Sequence, residues 1–402
     1  MTGEHEFEIV VYGASGFTGR LVAEYLQRAY GSNVAWAMAG RDRAKLEAVR
    51  SEIGAGAPII VAAASDPASL EALARRTKVV LTTVGPYQLH GEPLLAACVD
   101  AGADYVDLCG EPNWMAAMIA KYEARAKASG ARITFSCGFD SIPFDLGVFY
   151  LQQQASERFG APLMVVHGRV RKMKGGFSGG TMASMLATMK AVQADPSLAK
   201  VLTDPFALAG AKGAPQPRGD AARHDEGVGW AAPFVMAPIN TKNVHRSNAL
   251  MNYAYGRDFI YDEMMLTGEG ANGEKRARAA VNQSKMQTAL LGFAPTRALL
   301  RAFVLPKPGQ GPSKQERENG SYDVLFAGAT ADGRTLRAGV KGDKDPGYGS
   351  TSKMIAEAAL CLARDVDHQA TAGGIWTPAA AMGGPLIERL RAHAGLTFQL
   401  EN

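Results

Sequence analysis

The residues best suited to chemistry fall at four sets of loops. The first is Gly13-Ala-Ser-Gly-Phe-Thr-Gly19, inside IVVYGASGFTGRLVAEYL (residues 9–26). An apolar run ends there in a glycine-studded turn, and an amphipathic stretch follows. Gly13 permits a sharp exit from a strand, Gly16 lets the backbone approach a pyrophosphate with no Cβ between, and Gly19 allows the next helix to pack closely. The free N–H groups of that helix then face the phosphates, and Ser15 and Thr18 add hydroxyl donors. Gly13, Ser15, Gly16, Phe17, Thr18 and Gly19 are therefore candidate cofactor-binding residues. The spacing is G-x-x-G-x-x-G, a variant of G-x-G-x-x-G. Its weight comes from its place between a strand pattern and a helix pattern; the alternative is a tight turn that holds nothing.

The second set is Ala39-Gly40-Arg41-Asp42-Arg43, after the next strand pattern. A site for NAD usually places an acid here to bind the ribose 2′-hydroxyl. The acid is displaced in this chain, and Arg41 stands near its place. A guanidinium can bind a 2′-phosphate through two hydrogen bonds, so the pattern favours NADP(H). The alternative is a solvated Arg41 beside an Asp42 that only caps a helix. Asp66, after the third strand pattern, either touches the adenine edge or is an N-cap.

The third set is TTVGPYQLHGEP (82–93). Loops at the carboxyl ends of parallel strands hold the ligand in a doubly wound sheet. Gly85 and Pro86 are expected beside the nicotinamide half of the cofactor, and Tyr87 and His90 are the candidate catalytic donors. The alternative is an ordinary loop. The fourth set is YVDLCGEPNW (105–114) and SCGFDSIPFDLG (136–147), with Asp107, Glu111, Asp140 and Asp145 at strand ends. Paired carboxylates could hydrolyse a glycoside, but the acid-Pro spacings suit helix capping better. Asp140 is a candidate substrate contact, with Ser178 and Thr181 from GGFSGGT (175–181), which opens a helix pattern. Cys137 reads as a packed thiol rather than a nucleophile, since no Cys/His arrangement accompanies it. None of the twelve tyrosines has a lysine four residues on, so the Tyr-x-x-x-Lys pair of short-chain dehydrogenases is absent.

The elements that must position these loops alternate. Strand patterns at 7–12, 34–40 and in PIIVAAA, KVVLTTVG, DYVDLCG and ARITFSCG are separated by helical patterns. That rhythm predicts right-handed crossovers and a parallel sheet with helices on both faces, a Rossmann doubly wound α/β fold. After about residue 150 the rhythm changes. LMVVHGRVRKM (163–173) is a strand candidate, residues 205–232 look like a long loop, and 321–342 read as a hairpin around Asp332-Gly333. The expected organisation is a cofactor domain at 1–149, a second α/β domain on a mixed or antiparallel sheet at 150–345, and closing helices at 346–402 that return to the first domain.

Composition sets outer bounds. The chain has 402 residues, 47% hydrophobic and 20% charged, with a net charge of +4. That small charge and the lack of a basic block argue against a nucleic-acid binder. The four cysteines show no zinc spacing, so no metal is expected, and they suit a reducing cytoplasm. TALLGFAPTRALLRAFVLPKPG (288–309) is apolar but broken by Pro295; residues 288–305 could lie on a membrane surface or pack as a helix pair.

YGASGFTGRLVAEYL, AGRDRAKLE, TTVGPYQLHGEPLLAACVDAGADYVDLCGE and CGFDSIPFDLG together resemble the saccharopine dehydrogenase-like family. GGFSGGTMASM, GPSKQERENG and DPGYGSTSKMIAEAAL resemble its trans-acting enoyl reductase branch. The resemblance implies NADPH-dependent reduction of a carbon–carbon double bond in an acyl or polyketide-derived lipid intermediate, on a carrier protein, by a homo-oligomeric enzyme. Two other functions stay open: an imine reductase of the saccharopine type, for which Arg169 and Arg171 could pair with a dicarboxylic amino acid, or a non-catalytic NADPH-binding partner of a lipid-synthesis complex.

Overall fold

The fold is that of a computed structural model, described for residues 5–175, 179–292 and 311–402, with side chains at 287–289 and 291–292 left aside. Strand β1 (Phe7–Tyr12) is buried at five of its six positions, and β2 (Trp36–Gly40) at all five. Such continuous apolar runs suit a parallel sheet covered on both faces. They are joined by β3 (Ile59–Val61), β4 (Thr77–Thr82), β5 (Asp104–Val106) and β6 (Arg132–Thr134). The crossovers are α1 (Phe17–Ala29), α2 (Arg43–Glu52), α3 (Pro67–Ala74), α4 (Tyr87–His90), α5 (Glu92–Ala101) and α6 (Pro112–Ser129).

Seven strands form this first sheet, in the order β13-β6-β5-β4-β1-β2-β3, all parallel. The seventh, β13 (Gly374–Trp376), comes from far along the chain and is only three residues long. Tyr12 is level with Ala39 on one side and Thr82 on the other. This register brings the loops after β1, β2 and β4 to one edge. The strand order reverses between β1 and β4, which is where a doubly wound sheet opens its crevice.

The second sheet is mixed, in the order β14-β12-β11-β7-β10-β9-β8. It contains β7 (Val165–Lys174), β8 (Arg223–Asp225), β9 (Gly229–Pro233), β10 (Ile260–Gly268), β11 (Ser321–Ala329), β12 (Thr335–Gly342) and β14 (Leu396–Glu401). Strand β7 pairs with β10 in parallel, and the other pairs are antiparallel. The expected loop at 205–232 is corrected here: its last third is the β8–β9 hairpin. Its Ala, Gly and Pro content hides the strand signal, and side-chain pairing supplies what propensity lacks. Asp225 of β8 accepts from Arg223 Nε at 2.8 Å and from Arg169 Nε of β7 at 2.5 Å. Beneath this sheet run α7 (Ile142–Phe159) and α10 (Ala237–Leu250).

The C-terminal segment serves both sheets. Residues Thr351 to Leu362 of the helix Thr351–Arg364 are all buried, against α1, β1, β4 and β5. Glu357 fixes it there. Its buried carboxylate accepts from Tyr25 Oη at 2.5 Å, Tyr30 Oη at 2.7 Å and Arg389 Nε at 2.7 Å. Arg132 of β6 pairs with the buried Asp104 of β5 and donates to the carbonyls of Leu362 and Val366. The last strand, β14, lies against β12 in the second sheet.

Candidate active site

The glycine turn follows β1 and opens α1. Gly13 sits at φ +89°, a region that favours glycine. A Cβ on Gly19 would lie 2.1 Å from the Gly13 carbonyl oxygen, so only glycine lets the helix start this close to the strand end. Gly16 is the exposed N-cap of α1. No side chain caps the helix and its first turn carries no acid. The first-turn N–H groups have no intrahelical partner and point outward with the positive end of the helix dipole. Such a helix start can receive an anionic group. Ser15 and Thr18 flank it, half-buried. The Phe17 ring packs edge-on to Tyr348 at 4.8 Å, with the Arg317 guanidinium 5.5 Å from its centre.

Arg41 stands exposed just past β2, with no ion pair or side-chain hydrogen bond among the described residues. Asp42 beside it is the N-cap of α2; its carboxylate accepts from Lys45 N at 3.1 Å. Asp66 caps α3 in the same way, accepting from Ser69 N at 3.3 Å. Gly85 and Pro86 follow β4 and lead into α4, with Gly85 exposed.

Tyr87 requires a correction as a proton donor. It is 4% exposed. Its hydroxyl donates to the Thr82 carbonyl at 3.2 Å and accepts from Leu108 N at 3.0 Å. Burial, then the Asp107 charge, holds its proton well beyond the ordinary phenol range. The ring joins the end of β4 to the loop after β5, which is a positioning role. His90 is exposed at the end of α4, on the rim of the same edge.

The four strand-end acids separate sharply. Asp107 is fully buried and accepts from Cys109 N and Ser136 N, both at 2.9 Å, and from Tyr105 Oη at 3.0 Å. It stitches the loops after β5 and β6 together, and burial pushes its carboxyl up to about 7. Glu111 accepts from Tyr87 N at 2.8 Å and Gln88 N at 2.9 Å, so it caps α4 from outside. Asp145 accepts from Ser247 Oγ at 2.6 Å and Ala379 N at 2.8 Å, and burial raises it to about 7. Only Asp140 keeps its carboxyl free of any partner among the described residues. Burial alone raises it, to about 6. Three of four being committed to structure, no pair of free carboxylates is assembled for hydrolysis.

Helix α8 (Gly179–Ala194) roofs this edge. Gly179 N donates to Tyr348 Oη at 2.9 Å, Ser184 Oγ donates to Glu111 Oε1 at 2.6 Å, and Gln88 Nε2 donates to Thr188 Oγ1 at 3.1 Å. The helix thus reaches from beside Phe17 to the loops after β4 and β5. Met182, Met185, Leu186 and Met189 on it are all only partly covered. Thr181 is half-buried in its first turn, and Ser178 lies outside the described residues. Arg169 and Arg171 are both paired within the chain. Arg169 pairs with Asp225 and Asp262, and Arg171 with Asp323 and Glu401. Cys137 is fully buried, donates to the Thr134 carbonyl at 3.6 Å, and burial holds its thiol well above the ordinary range.

Tyr348, Ser184 and Thr188 carry no local sign of these contacts, because their partners lie 169, 73 and 100 positions away. A weak signal did exist for Tyr348: Asp345-Pro-Gly-Tyr-Gly is a capped turn, with Asp345 accepting from Tyr348 N and Gly349 N. The segment 288–305 falls almost wholly outside the described residues. Among those described, no helix is long and apolar enough to cross a membrane, and no His/Cys/Asp/Glu group could hold a metal.

A model of the saccharopine dehydrogenase NADP binding domain matches residues 9–133. A Mycobacterium tuberculosis protein provisionally named as a trans-acting enoyl reductase is 44% identical over 98% of this chain and 97% of its own. Trans-acting enoyl reductases of Mycobacterium bovis and Mycobacterium ulcerans are 41% and 40% identical, over 96% and 97% of this chain and 96% of theirs. The chain belongs to the trans-acting enoyl reductase family. The chain shares the saccharopine dehydrogenase fold: the apo saccharopine dehydrogenase (L-Glu forming) of Saccharomyces cerevisiae matches at a TM-score of 0.56 and 13% identity, over 98% of this chain and 99% of that one. This member of the family is an NADP-dependent oxidoreductase, with the first sheet carrying its cofactor domain.

Proposed function

We propose that the protein is an NADPH-dependent enoyl reductase that saturates the carbon–carbon double bond of an acyl thioester. The reading is carried by one observation: the glycine turn, the free Arg41 and the strand-end loops converge on one sheet edge, in a chain related along nearly its full length to trans-acting enoyl reductases. Gly13, Ser15, Gly16, Phe17, Thr18 and Gly19 line the pyrophosphate cradle, Arg41 pairs with the 2′-phosphate, and Asp66 borders the adenine. Gly85 and Pro86 form the wall beside the nicotinamide. NADPH bound there supplies the hydride.

The protein's own groups then have three tasks. They hold the thioester against the cofactor, exclude water, and stabilise the negative charge that grows on the thioester oxygen. His90, exposed on the rim, is the donor proposed for that oxygen. Loss of one such donor typically lowers the rate by roughly 10²–10³. Tyr87 and Glu111 keep α4, and with it His90, in place. The roof helix is apolar and rich in methionine, whose flexible thioethers fit an irregular acyl chain. An acyl chain carried on a carrier protein suits such a site. A dicarboxylic amino acid does not, because Arg169 and Arg171 are both committed to carboxylates of the chain.

Purified protein given NADPH and a 2-enoyl thioester should oxidise the cofactor and yield the saturated thioester. An amino acid with an oxo acid should give no oxidation. Binding of NADPH without turnover of any enoyl thioester would point instead to a non-catalytic partner in lipid synthesis.

A further inference from the structure

We infer that Asp140 is the general acid that completes this reduction by protonating the α-carbon. The inference rests on the proposed enoyl reductase activity and adds the residue that supplies its second hydrogen. It starts from the sorting of acids at the carboxyl ends of β5 and β6. Asp107, Glu111 and Asp145 each accept two or three hydrogen bonds from the chain and hold loops and helix ends together. Asp140 lies in the same stretch and accepts none among the described residues. A carboxyl committed to nothing structural is free to exchange a proton.

Its surroundings suit that task. Asp140 follows β6 and precedes Ser141, the N-cap of α7. Across from it is Gly110, in the loop after β5; a Cβ built on Gly110 would come 3.5 Å from Asp140 Oδ2. Gly110 therefore sets no side chain against the carboxyl. The facing titratable group is Cys109, whose thiol is buried and whose own proton is held more tightly partly because of Asp140. No charged side chain shifts Asp140; removal from water alone does so, to about 6. An acid that keeps its proton into the near-neutral range is matched to donate it there.

The backbone around it is held still. Asn243 Nδ2 donates to Ser141 Oγ at 2.6 Å, Ser141 Oγ donates to Asn240 Oδ1 at 3.3 Å, and Asn240 Nδ2 donates to Glu263 Oε2 at 2.8 Å. This buried chain ties the residue after Asp140 to strand β10 of the second sheet. The balance of the step is simple. Hydride addition makes the β-carbon C–H bond and sends the π-electron pair onto the α-carbon and thioester oxygen as an enolate. The Asp140 O–H bond then breaks, its proton forms the α-carbon C–H bond, and the carboxylate takes a proton from water before the next cycle.

The test compares wild type with Asp140→Asn and Asp140→Glu, using NADPH and a 2-enoyl thioester. General acid catalysis is worth typically 10²–10⁴-fold, so Asp140→Asn should lower kcat by at least about 100-fold. NADPH affinity, read by fluorescence titration, and thermal stability should be unchanged. Asp140→Glu, which keeps the proton, should recover part of the lost rate. Wild-type kcat/KM should fall as pH rises above about 6, while the residual rate of Asp140→Asn stays flat across that range. Asp107 and Asp145 also titrate near neutrality, so infrared difference spectra should show one carboxyl fewer in that range in Asp140→Asn than in wild type, the one near pH 6. A wild-type rate retained by a folded Asp140→Asn overturns the assignment. An infrared titration unchanged by the substitution overturns it too. Absence of turnover in wild type itself overturns the enoyl reductase reading, and this step with it.

Discussion

Replacing Arg41 with alanine should separate the two nicotinamide cofactors. Arg41 is exposed at the end of β2 and makes no ion pair or side-chain hydrogen bond within the described chain, so its loss breaks none. Asp42 cannot take over the ribose, because its carboxylate already accepts from Lys45 N at 3.1 Å. Arg43, two residues on, lies 3.8 Å from Glu47 on the flank of α2 and is no replacement. A hydrogen bond to a charged group contributes about 1.5–3 kcal/mol, and each 1.4 kcal/mol is a factor of ten. The NADPH dissociation constant should therefore rise by roughly 10–150-fold in Arg41→Ala. Exposure to solvent favours the lower half of that range. The NADH constant, with no 2′-phosphate to lose, should change by less than about twofold. Fluorescence titration of both cofactors at one fixed ionic strength measures the two constants directly. Equal losses for the two cofactors, or no loss for either, would refute the assignment of Arg41 to the 2′-phosphate.

Gly19→Ala and Gly16→Ala should behave differently: the first places a Cβ 2.1 Å from the Gly13 carbonyl and should lower both stability and NADPH affinity, while the second, at 3.2 Å, should weaken cofactor binding more than tenfold at nearly unchanged melting temperature. Equal melting temperatures for the two variants would contradict that ordering. Glu357→Ala leaves Tyr30 without an acceptor, Tyr25 with only the His393 carbonyl and Arg389 with Asp365 as its only carboxylate, so it should cost about 1–3 kcal/mol, seen as a lower urea midpoint. Asp107 keeps its proton in the fold up to about pH 7 but releases it near the ordinary carboxylate value of 3.8 when unfolded. The raised folded value means that its contribution is full below the unfolded value and is lost as pH rises toward 7. Between pH 5 and 7 wild type should lose about 2–3 kcal/mol that Asp107→Asn does not lose, a difference that denaturation at the two pH values measures. Parallel pH curves would show that Asp107 titrates normally.

The cofactor half of the molecule was legible because its physics is local. The β1 run, the three glycines and the α1 pattern sit within twenty residues, and each supports the same turn. The acids were legible only as a group. Asp107, Glu111, Asp140 and Asp145 look alike along the chain, and they part only when Ser136, Ser184, Ser247 and Ala379 arrive from distant segments to bond three of them. Tyr87 misled for a related reason: a tyrosine in a cofactor loop suggests chemistry, but Thr82 and Leu108 enclose its hydroxyl. Strands β8 and β13, each three residues long, fall outside the strand–helix alternation that marks the equally short β3, β5 and β6. Their existence depends on partners already in place, which no local pattern encodes.

Hydride transfer from NADPH to the β-carbon of an enoyl thioester is the step on which the proposed activity depends. NADPH deuterated at the transferring position of the nicotinamide, incubated with this protein and a 2-enoyl thioester in ordinary water, tests it directly by mass spectrometry and NMR of the product. The saturated thioester should carry one deuterium at the β-carbon and a solvent-derived hydrogen at the α-carbon. Deuterium at the α-carbon or at the carbonyl carbon, or an unreduced double bond beside oxidised cofactor, would contradict it.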